Sequence, residues 1–184
     1  GDCAHAEPVG ARNGICVVNL MGRDSCLISA SATMASVEVN FCLVPEVRFD
    51  VDGPKGLLSA LENRLRERGH AVIVIAEGCG ASLADKDAER DASGNLRYGS
   101  SGLDVGPVLR DRIISHFKGR QFQVNVKYID PSYMIRSVPA NASDSIFCDG
   151  LARHAVHAGM AGKTDIVIGR WHRQFTHVPL LAAT

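Results

Sequence analysis

Ile15-Cys16-Val17-Val18-Asn19-Leu20-Met21-Gly22-Arg23 is an apolar, β-branched run that stops abruptly in a glycine and a cation. Asp24, Ser25 and a run of small residues follow. The pattern predicts a strand, a tight turn and the start of a helix. Such a junction matters because a parallel sheet is covered by helices on both faces, which leaves the carboxyl ends of its strands as the open surface. Met21, Gly22 and Arg23 are expected there. Glycine lets the backbone approach a ligand closely, and arginine presents a planar fork of donors matched to phosphate or carboxylate oxygens. Taken alone, the stretch fits a surface arginine after an ordinary strand equally well.

Outward from it, the alternation of strand and helix repeats. Residues 25–36, rich in Ala and Ser, read as a helix that packs close to a sheet, with Asp24 or Ser25 as its cap. Residues 39–44 read as a second strand, closed by Pro45 and Glu46. A helix is expected over 54–68, with Asp52 as N-cap, Pro54 in the first turn, a stripe of Leu57, Leu58, Leu61 and Leu65, and Gly69 at the stop. Its other face, with Glu62, Arg64, Arg66, Glu67 and Arg68, reads as solvated. Residues 71–76, Ala-Val-Ile-Val-Ile-Ala, have the continuous apolar character of a central parallel strand, and they end in Glu77-Gly78-Cys79-Gly80.

The flanks are less regular. Residues 1–13 show no periodicity and read as a lead-in, and the polar stretch 81–101 reads as a solvated excursion. A helix over 103–118, a strand over 121–129, a helix over 143–161 capped by Asn141 or Ser143, and short strands over 165–169 and 175–180 complete the chain. Alternation of this kind argues for an α/β fold, a three-layer and mostly parallel sheet with helices on both faces. The expected division is 1–137 for the α/β domain and 138–184 for a separate segment.

Composition narrows the function. The 184 residues suffice for one core-bearing domain, and 20 Lys and Arg against 20 Asp and Glu give no net charge, which argues against a nucleic acid or an anionic membrane as partner. No run approaches the roughly 20 apolar residues of a membrane span. The opening Gly-Asp-Cys-Ala-His has no secretory pattern, and six scattered cysteines without a Cys-x-x-Cys spacing suit a reduced, cytoplasmic compartment.

By position, Arg23, Glu77, Tyr133 and Arg136 converge on one mouth of the sheet. Two arginines and a tyrosine hydroxyl suit a phosphate, and a carboxylate beside a glycine suits sugar hydroxyls, so residue chemistry points to a phosphosugar site. Other readings are weaker. His154 and His157 share a helix face but lack further ligand spacing, and no metal site is expected. No signature supports a Cys–His nucleophile pair. A glycosidase-like pairing of Glu46 with Glu77 explains neither arginine.

Four separated blocks carry a family resemblance: 19–25 (Asn-Leu-Met-Gly-Arg-Asp-Ser), 43–46 (Leu-Val-Pro-Glu), 70–78 (ending Ala76-Glu77-Gly78) and 127–136 (Lys-Tyr-Ile-Asp-Pro-Ser-Tyr-Met-Ile-Arg), with Asn141-Ala142-Ser143-Asp144 beyond. Together they resemble the 6-phosphofructokinases, in the branch that plants, trypanosomatids and many bacteria share and that contains ATP-using and pyrophosphate-using members. The resemblance implies phosphoryl transfer to the 1-hydroxyl of fructose 6-phosphate in glycolysis, with magnesium and ATP or pyrophosphate in the full-length family and a homo-oligomer in full-length form. It assigns substrate binding to Met21, Gly22 and Arg23, sugar hydroxyls to Glu77, and the 6-phosphate to Tyr133 and Arg136. The family's donor motifs, a Gly-Gly-Asp-Gly-Thr-type loop and a Thr-Ile-Asp turn carrying the base, do not occur in this sequence, nor does the usual Ser-Gly-Phe, for which Ser25-Cys26-Leu27 stands. The expectation is a C-terminal, substrate-binding portion that is inactive alone, has no catalytic residue of its own and holds no cofactor. The residues from 138 onward would in the family return to the donor domain. The alternative is a non-catalytic phosphosugar-binding or regulatory module.

Overall fold

The computed structural model describes residues 2–22, 25–79 and 105–183. Arg23, Asp24 and the polar stretch 81–101 lie outside the described residues. The chain divides into two compact units, Gly1–Arg136 and Ser137–Thr184.

In the first unit β1 (Gly14–Leu20), β2 (Phe41–Leu43), β3 (His70–Ala76) and β4 (Asn125–Ile129) form one parallel sheet in the order β2-β3-β1-β4. The helices are α1 (Asp2–Gly10), α2 (Leu27–Ala35), α3 (Leu57–Arg68), α4 (Val105–Gly119) and α5 (Ser132–Ser137). The path from β1 to β2 runs one way across the sheet, and the paths to β3 and β4 run back. Right-handed crossovers therefore put α2 on one face and α3 with α4 on the other. Leu57, Leu58, Leu61 and Leu65 of α3 and Val105, Leu109, Ile113 and Phe117 of α4 bury against Ile15, Val17, Ala71, Ile73 and Ile75. Each such side chain contributes about 2 kcal/mol. Val18, Leu20, Val72 and Val74 face the other way, towards α1 and α2. The result is the expected three-layer α/β fold.

Several boundaries and partners differ from expectation for physical reasons. Residues 1–13 are no mere lead-in: Asp2–Gly10 is helical with Pro8 inside it, and Gly14 lets it approach, since a Cβ there would stand 2.2 Å from the Pro8 carbonyl oxygen. Asp52 does not cap α3, and Pro54 precedes it. The N-cap is Gly56, and backbone carbonyls of Asp50 and Val51 accept the Leu57 and Leu58 amides at 2.9 and 3.1 Å. Asp52 instead pairs with Arg112 at 2.6 Å. Gly69, at φ 74°, ends the helix as expected.

Glu62 departs most from its reading as a solvated charge. It is only 8 % exposed, accepts from Arg66 at 2.7 Å and from Arg120, and lies 3.6 Å from His116 Nε2. The Arg66 hydrogen bond is the main influence holding its carboxyl below the ordinary value.

The second unit contains α6 (Ala142–Met160), the antiparallel pair β5 (Ile166–Trp171) and β6 (Gln174–Pro179), and α7 (Leu180–Ala183). Asn141 caps α6, its side-chain oxygen accepting the Asp144 amide at 2.9 Å. His172 and Arg173, both at positive φ, make the two-residue turn of the hairpin. Gly150 leaves room for Phe175, whose ring stacks with Phe147 at 6.1 Å and lies 4.6 Å from His154. The His154 ring is thus a packing surface for the hairpin. Ile146, Val156 and Met160 of the predicted apolar face remain exposed.

Because its folded pKa is depressed, Glu62 adds stability above its ordinary value of 4.5, and that increment is lost as pH falls through the folded value. Glu62→Gln should cost about 1 kcal/mol at pH 7, an amount tempered by the half-exposed arginines. Urea midpoints of the two proteins should converge on acidification.

Candidate functional site

β3, β1 and β4 are adjacent and parallel, with Leu20 paired to Ala76 and Val18 to Ile129, so their carboxyl ends finish on one edge. Met21 and Gly22 leave β1 at that edge. Glu77 opens a single 3₁₀ turn, Glu77–Cys79, directly after β3. Beyond β4, the Asp130 carboxylate accepts the Ser132 amide at 2.9 Å and the Ser132 hydroxyl, which starts α5 and carries Tyr133 and Arg136 outward.

Two contacts join these three strand ends. The Gly78 amide donates to the Gly22 carbonyl at 3.0 Å, which ties the turn after β3 to the turn after β1. Arg136 Nε donates to the Met21 sulfur at 3.1 Å, which ties α5 to the same turn. Met21, Gly22, the Glu77 turn and Arg136 are therefore brought together. Tyr133, one helical turn before Arg136, is 85 % exposed. Arg23 lies outside the described residues. Gly22 has φ 137°, and a Cβ on it would stand 2.5 Å from the Ser25 carbonyl oxygen, so the backbone there has no room for a side chain.

The charges are distributed unevenly. Arg66, Arg112, Arg120 and Arg153 are each bridged to a carboxylate. Among the described residues Arg136 has no such partner, and its neighbour is a neutral thioether. A guanidinium in that setting has donors to offer an incoming anion.

Glu46, Cys79 and Cys16 bear on the other chemistries weighed from sequence. Glu46 Oε1 accepts the Cys26 amide at 2.6 Å, and this bond holds the carboxyl below its ordinary value. That shift is opposite to what the acid member of a glycosidase pair needs. Burial pushes the Cys79 thiol up to about 12 and the Cys16 thiol to about 11, so neither supplies a thiolate near neutrality. Among the described residues no group of three His, Cys, Asp or Glu side chains could hold a metal ion.

Two supporting residues escaped the sequence reading. Asn19 donates to the Tyr128 hydroxyl at 3.4 Å, linking β1 to β4 just below the edge. Gly106 lets the first turn of α4 lie against the Tyr128 ring, where a Cβ would come within 2.0 Å. Asn19 sits in the opening stretch and Glu46 in the Pro-Glu block, but neither has a local pattern that names a partner more than a hundred, or some twenty, residues away.

Comparisons with known proteins agree on one family. The family model described as Phosphofructokinase matches residues 2–159. The ATP-dependent 6-phosphofructokinase of Borreliella burgdorferi is 49 % identical over 98 % of this chain, which covers 41 % of that protein. ATP-dependent 6-phosphofructokinase 7 of Arabidopsis thaliana is 45 % identical over 100 % of the chain and 38 % of its own length. The chain thus spans about two fifths of the curated relatives it matches. Among solved structures, phosphofructokinase from Saccharomyces cerevisiae superposes with a TM-score of 0.64 at 17 % identity, over 98 % of this chain and 21 % of that one. Pyrophosphate-dependent phosphofructokinase from Marinobacter aquaeolei gives 0.58 at 19 %, over 94 % and 41 %.

Gly22→Ala tests the geometry of the turn. With positive φ and a backbone oxygen in the way, it should lower stability by about 2 kcal/mol, read from the urea midpoint, and shift the amide resonances of residues 21–26.

Proposed function

This chain belongs to the phosphofructokinase family, and on that premise we propose that it carries the fructose 6-phosphate-binding part of a 6-phosphofructokinase. Arg136 and the Tyr133 hydroxyl grip the 6-phosphate, Met21, Gly22 and Arg23 bind the sugar phosphate, and Glu77 accepts from sugar hydroxyls. The observation that supports this reading is the Arg136–Met21 contact, in which a guanidinium at the edge where β1 and β3 end meets a neutral thioether. A charge-assisted pair with phosphate is the strongest interaction such a group can gain.

In the whole protein the reaction joins the 1-hydroxyl oxygen of the sugar to the transferred phosphorus and breaks the bond from phosphorus to the donor's bridging oxygen. The hydroxyl proton passes to a base. The donor is ATP, as in the names of the two relatives described above. Binding and orientation are what the residues of this chain supply. Phosphoryl transfer depends mainly on positioning and charge neutralisation, so a well-held acceptor has a direct share in the rate. With no donor motif and no Thr-Ile-Asp turn in its sequence, the 184-residue chain binds fructose 6-phosphate without turning it over. No step is assigned to magnesium, since the described residues offer no cluster to hold it.

Isothermal calorimetry of this chain with fructose 6-phosphate checks the site. Arg136→Ala should weaken binding by at least about tenfold, and Tyr133→Phe by roughly threefold. Unchanged affinity in both variants would remove the 6-phosphate from this edge. A coupled assay with ATP and magnesium should detect no fructose 1,6-bisphosphate from the chain alone, and sustained turnover would place the base among its own residues.

A further inference from the structure

We propose that Lys163 is a modification site: its amino group, bonded to the His177 ring, is acylated by an acyl phosphate, with His177 as the base. Both residues belong to the second compact unit, and the inference owes nothing to the reading of the phosphosugar edge.

Backbone geometry fixes both partners before their side chains meet. At the end of α6 the Gly162 amide donates to the Gly159 carbonyl and the Lys163 amide to the Ala158 carbonyl, each at 3.0 Å. With Gly162 at φ 72°, this is the left-handed close of a helix, and Lys163 is the residue it delivers towards the hairpin. His177 is held from the other side. It pairs with Ile168 across β5 and β6, and Phe175, two residues before it on the same face of the hairpin, packs against the His154 ring of α6 at 4.6 Å. Lys163 Nζ then lies 2.8 Å from His177 Nδ1. An ammonium has donors only, so Nδ1 accepts and the ring hydrogen sits on Nε2. Both residues are exposed, so a solute reaches them.

A protonated lysine has no lone pair with which to attack, and imidazole is the side chain that takes up a proton near neutrality. Nζ gives one proton to His177 Nδ1, and its lone pair then attacks the acyl carbonyl carbon. The carbon–nitrogen bond forms, and the bond from that carbon to the phosphate oxygen breaks with its electron pair on the leaving phosphate. The second proton of the nitrogen goes to that phosphate, and His177 returns its own to water. The charge around the pair selects the reagent. Arg170 lies on the same face as Ile168 and His177, with Cζ 5.6 Å from the centre of the Phe147 ring and 6.0 Å from that of Phe175. Three basic groups on one side of the hairpin draw an anionic electrophile, and an acyl phosphate is one.

The test incubates the 184-residue chain with acetyl phosphate and follows each lysine by mass spectrometry of its tryptic peptides. Lys55, Lys118 and Lys127 are exposed as well and serve as the reference. Lys163 should be acetylated at least about tenfold faster than these three. His177→Gln keeps a hydrogen-bond acceptor but no base, and should bring Lys163 down to the reference rate, while His172→Gln, at the turn of the same hairpin, should leave it unchanged. Amide exchange of Ile168 and Val178 checks that the hairpin stands in both variants. Should it be lost, the ranking of lysines in the parent chain decides. A Lys163 rate no higher than the reference, an undiminished rate in a folded His177→Gln variant, or an equal loss in His172→Gln overturns the proposal.

Discussion

The parallel pairing of β1 with β3 on one side and β4 on the other is the constraint on which the rest of the molecule depends. Gly14 stands opposite both His70 and Asn125, and from that start the register runs without interruption to the strand ends. Slipping β1 by one residue would turn Ile15 and Val17 away from α3 and α4 and put Cys16 and Val18 in their place. The buried cluster made by Ile15, Val17, Ile73, Ile75 and the two helices opposes that slip strongly, since several side chains would change faces together. A core preference thereby decides which residues reach the sheet's edge. Met21, Gly22 and Glu77 are there because the apolar residues before them are fixed in register.

The helical layers add polar ties to this apolar frame. Glu62 receives Arg66 from its own helix and Arg120 from just past the end of α4, so one carboxylate fastens α3 to α4 beside the core. Asn19 and Tyr128 do the same between β1 and β4. Such ties are modest individually, yet leaving the buried Glu62 carboxylate without its partners is costly, and this favours one arrangement of the helices over near alternatives.

Legibility in the sequence follows the range of each interaction. The run at 71–76 and the leucine stripe of α3 are local patterns, and the order of residues alone is enough to read both. The helix at Asp2–Gly10 is not legible in that way, because Pro8 and the surrounding small residues carry no helical period, and the segment is held by its approach to Gly14. Asp52 has the right chemistry for a cap, but the backbone carbonyls of Asp50 and Val51 reach the α3 amides first. On the helix surface alone Glu62 is one of several spaced charges, and its partners at 116 and 120 enter only once α4 docks. The candidate site follows the same rule: Met21, Gly22, Glu77 and Arg136 are legible because each follows a strand, whereas the bond of Glu46 to a backbone amide leaves no mark in composition or spacing.

That contrast bears on how a site of this kind recognises an anion. On the proposed reading the groups that touch the phosphate are exposed, Tyr133 and Arg136 on a six-residue helix, and exposed side chains lose rotamer freedom when a ligand orders them. The backbone on either side of residues 23–24 is different, since the Gly22 carbonyl and the Cys26 amide are each bonded to a neighbouring strand turn without any ligand. On that reading the ordering cost falls on the side chains of Tyr133 and Arg136.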